Sequence, residues 1–259
     1  MLSKEISKLA TQGQSCFSFK ELRQRIGSSP AALRSALHRL SKKGEIAMPL
    51  RGFYVIVPPE YRALGCRPAE EFIPDLMAHV NEPYYAGLLT AADYYGAAHH
   101  RPQVFQVVVA KARRPIRCGR VRVDFVVRKN IHDIPTQSMN TPTGILKLST
   151  PEATALDLVG YAKHCVGLDN VATVLAELFE KLKADKIAEV AKLSPIAWSQ
   201  RLGYLLDTVE ATDVSEPLAR YVEQEKPVRT PLLAAASIKG AKTNCRWKLF
   251  VNAAVEVEA

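Results

Sequence analysis

The segment Ser28-Ser29-Pro30-Ala31-Ala32-Leu33-Arg34-Ser35-Ala36-Leu37-His38-Arg39-Leu40-Ser41-Lys42-Lys43-Gly44 decides the fold. Two serines before a proline supply a hydroxyl cap and a residue whose fixed φ suits the first helical turn. Leu33, Leu37 and Leu40 recur at helical intervals and form one apolar stripe, and Gly44 stops the helix. The opposite face carries Arg34, Ser35, His38, Arg39, Lys42 and Lys43. Helical spacing places Arg34, His38 and Lys42 in one row, with Ser35 and Arg39 beside it.

Working outward, Leu2, Ile6 and Leu9 mark a first helix that runs up to Gly13. Phe19, Leu22 and Ile26 mark a shorter second one, capped by Ser18 and closed by Gly27. After Gly44, residues 45–57 read as two short strands joined by a turn through Pro49 to Gly52, a β-hairpin. Three helices and a hairpin describe a winged helix-turn-helix over residues 1–60.

Such a module suits duplex DNA. A helix fits the major groove, where arginine bonds guanine edges and serine serves several bases. Arg34, Ser35 and Arg39 are the candidate base readers, with His38 on the solvent or phosphate side. The helix start at Ser28 and Ser29 offers backbone N–H groups to a phosphate. Lys42, Lys43 and the wing residue Arg51 are placed as phosphate contacts, which position the module without reading sequence. The competing reading is a winged helix used only for protein contact.

Charge supports the first reading. Of the formal +9, residues 1–67 hold 12 Lys/Arg against 4 Asp/Glu, residues 68–150 hold 10 against 7, and residues 151–259 hold 13 against 15. A basic module joined to a near-neutral body is a common footprint of a nucleic-acid-binding head on a different domain. At 47% hydrophobic, the 259 residues can bury a core, and wholesale disorder is excluded. No apolar run approaches the ~18 residues of a membrane span. The opening residues lead into an amphipathic stretch rather than a secretory signal. Five cysteines at irregular spacings fit neither a disulfide framework nor a zinc site. A cytoplasmic protein with reduced thiols, no membrane partner and no cofactor is expected.

The proline-rich stretch Val57 to Pro68 is the natural boundary of the head, so the larger body spans 69–259. Within it, Ala69–Val80 reads as a helix with Phe72, Leu76 and Val80 inward, and Tyr84–Gly96 reads as a second. Val104–Val109 and Val121–Val127 read as strands. The basic run Lys111–Arg117 between them reads as a solvated loop or as a surface for an acidic partner. Helices are expected at Pro151–His164, Asp169–Glu180, Lys183–Leu193 and Pro195–Leu206, and a last strand at Arg246–Val251. The fold class is α+β: an N-terminal winged helix-turn-helix and a larger mixed α/β C-terminal domain. Leu156 and Val159 are core candidates, Arg201 and Asp207 flank an apolar helix in structural roles, and Trp247 is a buried anchor.

Five segments of the body carry a family resemblance: Tyr84–Gly96, Leu148–Leu158, Asn170–Leu178, Arg201–Leu206 and Asn244–Asn252. In this order they resemble the AbiEi family, the antitoxin component of type IV toxin–antitoxin and abortive-infection systems. With the winged helix the likeness covers nearly the whole length. It implies an amino-terminal domain that binds inverted repeats in the promoter of its own operon and represses it. It also implies a body that counteracts a cognate nucleotidyltransferase-like toxin, generally by a route other than a tight complex. Direct capture of the toxin by the body is the alternative. No active site comes with the resemblance. DNA contact is carried over only to the basic positions of the third helix and the wing.

An enzyme is the weakest reading. Asp124 on a strand, with Glu71 upstream and Lys129 nearby, invites comparison with restriction nucleases. Phe125-Val126-Val127-Arg128-Lys129 lacks the second acid that a magnesium site would want. His99-His100 is an adjacent pair, and adjacent residues do not face one site on a helix. No catalytic and no metal-ligating residue is assigned.

Overall fold

A computed structural model describes residues 2–98 and 102–257, so His99-His100 lies outside the described residues. The chain opens with α1 (Leu2–Thr11), β1 (Cys16–Ser18), α2 (Phe19–Ile26), α3 (Pro30–Lys42), β2 (Ile46–Leu50) and β3 (Phe53–Ile56). This is the element order of a winged helix-turn-helix, with one strand more than the sequence predicts. Three residues are too few to show a period of two. Cys16–Ser18 becomes a strand because it pairs antiparallel with β3, Cys16 opposite Val55 and Ser18 opposite Phe53. The sheet order is β1-β3-β2.

The wing turn is tighter than the sequence suggests. Arg51 and Gly52 alone connect Leu50 to Phe53, with Gly52 at φ 84°. Pro49 sits inside β2, where the register slips between Ala47 and Leu50. β2 is an edge strand, and a residue without an N–H is tolerated there.

The chain continues through α4 (Ala69–His79), β4 (Tyr84–Ala86), α5 (Leu88–Tyr94), β5 (Phe105–Val109), β6 (Ile116–Cys118) and β7 (Val121–Val127). After β8 (Thr136–Thr141) and β9 (Gly144–Ser149) come α6 (Pro151–Gly160), α7 (Leu168–Leu178), α8 (Ala184–Ala191), α9 (Ile196–Thr208) and α10 (Thr212–Glu225). Three short strands follow: β10 (Thr230–Pro231), β11 (Lys242–Asn244) and β12 (Leu249–Val251). A six-stranded sheet has the order β6-β7-β5-β4-β9-β8, with β5 parallel and β6 antiparallel to β7. The helix expected over Tyr84–Gly96 divides in two. Tyr84 to Ala86 form a strand, Ala86 pairing parallel with Leu148, and the helix starts only after an extended Gly87. Aromatic residues favour a strand wherever a neighbour can pair with them.

Two compact units result, the first made of Met1–Tyr85, Gln103–Ile131 and Ser138–Lys147. The winged helix therefore shares a unit with α4 and β5 to β7. One core gathers Leu9, Leu22, Leu33, Leu37 and Leu40 with Phe17, Ile46 and Ile56. The other gathers Cys16, Phe53 and Val55 with Phe72, Ile73, Met77, Val107 and Val123. The proline-rich stretch between them is tied down. Arg67 donates to the Ile56 carbonyl at 2.8 Å and pairs with Glu71 at 2.6 Å. The Tyr61 hydroxyl donates to the other oxygen of Glu71 at 2.6 Å.

The second unit comprises Ala86–Pro102, His132–Gln137 and Leu148–Ala259. Its central helix, α6, is buried from Glu152 to Val159, and Thr150 caps it through the Ala153 N–H. Buried Glu152 accepts the Lys183 N–H at 3.1 Å and so fixes the approach to α8. Leu156 and Val159 are core residues, as expected. Trp247 is fully buried, and its indole N–H donates to Asp207 at 2.6 Å. Asp207 also accepts the Ser215 hydroxyl at 2.6 Å, which joins α9 to α10. Arg201 donates to the Pro231 carbonyl at 3.0 Å, and its half-buried position lowers the guanidinium pKa. The structural roles expected for Arg201, Asp207 and Trp247 are those observed.

The indole of Trp247 needs the missing side chain of Gly203, because a Cβ there would stand 2.0 Å from its ring. Gly203→Ala should therefore destabilise the second unit by about 1–3 kcal/mol despite the better helix propensity of alanine. Urea unfolding followed by tryptophan fluorescence would read the loss, and an unchanged midpoint would contradict this packing.

Candidate nucleic-acid interface

The helix α3 owes its orientation to its apolar stripe. Leu33, Leu37 and Leu40 retain 2%, 1% and 5% of their accessible surface. The residues between them must face away, and Arg34, Ser35, His38, Arg39, Lys42 and Lys43 are all exposed. Arg51 is exposed at the tip of the wing, next to an exposed Met48. No ion pair engages Arg34, Arg39, Lys42, Lys43 or Arg51 among the described residues. Five uncompensated cations thus occupy the outer side of one helix and the adjoining turn.

Arg34 is the most constrained of them. Its guanidinium lies over the Phe19 ring, 5.5 Å from the centroid. It also lies near Tyr54, whose phenol pKa is raised by partial burial against the opposing pull of that cation. A stacked guanidinium keeps its N–H edge available while losing fewer rotamers when it binds. Arg39, Lys42 and Lys43 carry no such support.

Ser28 and Ser29 stand differently from the rest. Ser28 is partly buried, and the Ser29 hydroxyl caps the helix by accepting the Ala32 N–H at 3.3 Å. Pro30 has no N–H, so this helix start offers fewer free donors than the sequence suggests. Exposed Lys20 and Arg23 on α2 also lack an ion pair among the described residues. The polar face of that helix, opposite Phe19, Leu22 and Ile26, is the sequence signal that marks them. Arg25 is spoken for, at 3.9 Å from Glu5.

The other sequence candidates fall elsewhere in the first unit. In the basic run after β5, Glu82 binds the Arg113 guanidinium and accepts the Lys111 N–H. Arg117 projects from β6. Glu71, proposed as one acid of a nuclease site, is 3% exposed and holds both Arg67 and Tyr61. Its carboxylate oxygens are occupied by structural partners. Among the described residues no three His, Cys, Asp or Glu side chains cluster as a metal site would require.

Comparison with known proteins bears on what this surface serves. Residues 4–57 match a family model described as "Transcriptional regulator, AbiEi antitoxin", and residues 85–208 match "AbiEi antitoxin C-terminal domain". The chain belongs to the AbiEi antitoxin family. Both matched segments follow the order in which the motifs occur in the sequence. The solved structure of the RV2827C protein from Mycobacterium tuberculosis has the same fold, with a TM-score of 0.67 at 17% identity. That alignment covers 95% of this chain and 89% of the other. No curated protein matches. The AbiEi family is one of antitoxins and transcriptional regulators, which agrees with a cationic winged helix at one end of the chain.

A reciprocal cap holds the start of α2. The Glu21 N–H donates to Ser18 Oγ at 3.1 Å, and the Ser18 N–H donates to a Glu21 carboxylate oxygen at 2.8 Å. The Ser18 N–H holds the Glu21 carboxyl below the usual carboxylate range. A lowered folded pKa means stability that is present above the ordinary carboxylate pKa and lost as pH falls through the lowered value. The melting temperature of Glu21→Gln should lie below wild type at pH 7, and the gap should close as pH falls below the ordinary carboxylate range. A gap independent of pH would show that the charge of Glu21 plays no part.

Proposed function

We propose that this chain is the antitoxin of a type IV toxin–antitoxin system and represses its own operon. The winged helix docks α3 in the major groove of inverted repeats in the promoter, and the C-terminal domain counteracts a nucleotidyltransferase-like toxin. The observation that carries the DNA reading is the set of exposed, unpaired cations on α3 and the wing. Family membership and the charge concentrated in residues 1–67 support it. Arg34 and Arg39 read bases, with Ser35 and His38 alongside. Lys42, Lys43 and Arg51 hold phosphates on either side of the groove. Ser29 fixes the helix start against the backbone, and Ser28 precedes it. An inverted repeat takes two copies, related by the symmetry of the site. The system acts in the cytoplasm, in phage defence by abortive infection, without cofactor or catalytic residue in this chain.

A band-shift titration on the DNA upstream of its own gene should show selective binding that weakens steeply with salt. Arg34→Ala with Arg39→Ala should weaken it by at least about thirty-fold, the loss of roughly 2 kcal/mol of base contact. Melting should change little, because both side chains are exposed and only the Arg34 contact with Phe19 is lost. Lys43→Ala should weaken binding equally on all sequences and flatten the salt slope by about one for each copy bound. Equal affinity of the wild type for scrambled DNA would remove the repressor. For the second activity, co-expression with the adjacent toxin gene should restore growth, and continued arrest would remove the antitoxin assignment.

A further inference from the structure

The second unit holds a cleft of about 730 Å³ beside α10. Arg246 forms one wall and is fully engaged. It pairs with Glu216 at 2.8 Å, approaches Asp207 at 3.6 Å and lies over the Trp247 ring. That pairing neutralises Glu216. Arg220, Lys226, Arg229 and Lys248 line the remainder, with Glu223 as the other carboxylate. None of these four cations has an ion-pair partner among the described residues.

Two of them stand on backbone that lysine rarely adopts. Lys226, the residue that ends α10, has φ 45°, and Lys248 has φ 51°. Glycine or asparagine is the ordinary choice in this left-handed region, because a larger side chain is strained there. The loops that carry them are pinned from beneath by one buried side chain. The Gln200 amide, 1% exposed, donates to the Val228 carbonyl at 3.1 Å and to the Lys248 carbonyl at 2.8 Å. The cations are thus held around a concave space by built backbone, at positions where a smaller residue would be favoured on conformation alone.

We propose that this cleft binds a compact polyphosphate anion of the size of a nucleoside triphosphate. Its volume falls within the ~300–1,000 Å³ usual for small-ligand sites. Arginine forks and lysine ammonium groups are the side chains that recognise phosphate oxygens. Among the described residues no aromatic face lines the cleft, so recognition runs through the phosphates rather than through a stacked base. The same phosphate chemistry occurs in a nucleic-acid strand, which makes the free polyphosphate and a strand the two sources to separate.

A reporter is already in place. Cys245 lies in the cleft and is exposed, with an Arg229 nitrogen 3.8 Å from its sulfur, while Cys16, Cys66, Cys118 and Cys165 are buried. In the full chain, inorganic tripolyphosphate and ATP should each slow alkylation of Cys245 by neutral iodoacetamide. At ten times the dissociation constant the slowing should be about ten-fold. Lys226→Gly with Lys248→Gly should abolish this protection with no loss of melting temperature, because glycine accepts the left-handed backbone. The proposal is overturned by equal protection from sulfate at matched ionic strength, or by full protection in the double variant. Protection by a single-stranded oligonucleotide, but not by tripolyphosphate, would overturn it in favour of a strand.

Discussion

The burial of Leu33, Leu37 and Leu40 against Leu9, Leu22, Phe17, Ile46 and Ile56 is the constraint on which the surface of this protein depends. Each leucine removed from water contributes about 1.5–3 kcal/mol relative to exposure. Turning α3 by half a revolution would forfeit all three and bury Arg34, Arg39 and Lys42 without partners. Several buried, unpaired charges exceed what a small module could withstand. The cations face outward because the stripe leaves them nowhere else. The exposed cationic row therefore follows from hydrophobic packing before any electrostatic argument is made.

The wing sheet connects that packing to the rest of the first unit. Successive strand residues point to opposite faces, and β3 uses both. Tyr54 and Ile56 face the helices, while Phe53 and Val55 join α4 and β5 to β7 in the second core. β1 divides in the same way, with Phe17 on one side and Cys16 on the other. A sheet buried on both faces cannot swing as a hinged head would. The segment that follows it is held as closely: Leu64 accepts the Arg120 N–H at 2.7 Å, and a Cβ on Gly119 would meet that same carbonyl oxygen at 2.1 Å. α3 thus belongs to one packed unit that reaches through Val123, although the proline content of residues 57–68 marks a domain boundary there.

What the sequence reveals follows from how local the signals are. Ser29-Pro30 and the leucine stripe specify α3 to the residue, and the alternation Val121-Arg122-Val123-Asp124 specifies β7. Of the helices that follow β9, α6 to α9 are legible as apolar periodicity, whereas α10, with Pro217 inside it, is not. β1 and β6 span three residues each, and β8 is Thr-Gln-Ser-Met-Asn-Thr, with no apolar alternation to read. Such strands exist because a partner distant in the chain offers hydrogen bonds, and no window of neighbours contains that information. The same holds at the candidate interface. Spacing alone gave the exposed row on α3, but the ring of Phe19 under Arg34 is a contact between helices.

Net charge is an average, and averages conceal sites. The last 109 residues hold 13 basic and 15 acidic side chains, which reads as a featureless surface. Yet Arg220, Lys226, Arg229 and Lys248 converge on one cleft. The C-terminal end of a helix dipole attracts cations, and this accounts for a lysine at position 226. It does not account for Arg229 or Lys248, which lie beyond the helix, nor for a lysine at φ 51° in the loop before β12. Three separate segments supply like charges to a common space while one of the two carboxylates that line it, Glu216, is taken by Arg246. Like charges brought together repel, so the arrangement raises the free energy of the empty protein. An anion bound among them removes that repulsion, which is why a concave cluster of unpaired cations is informative where a scattered set of the same residues would not be.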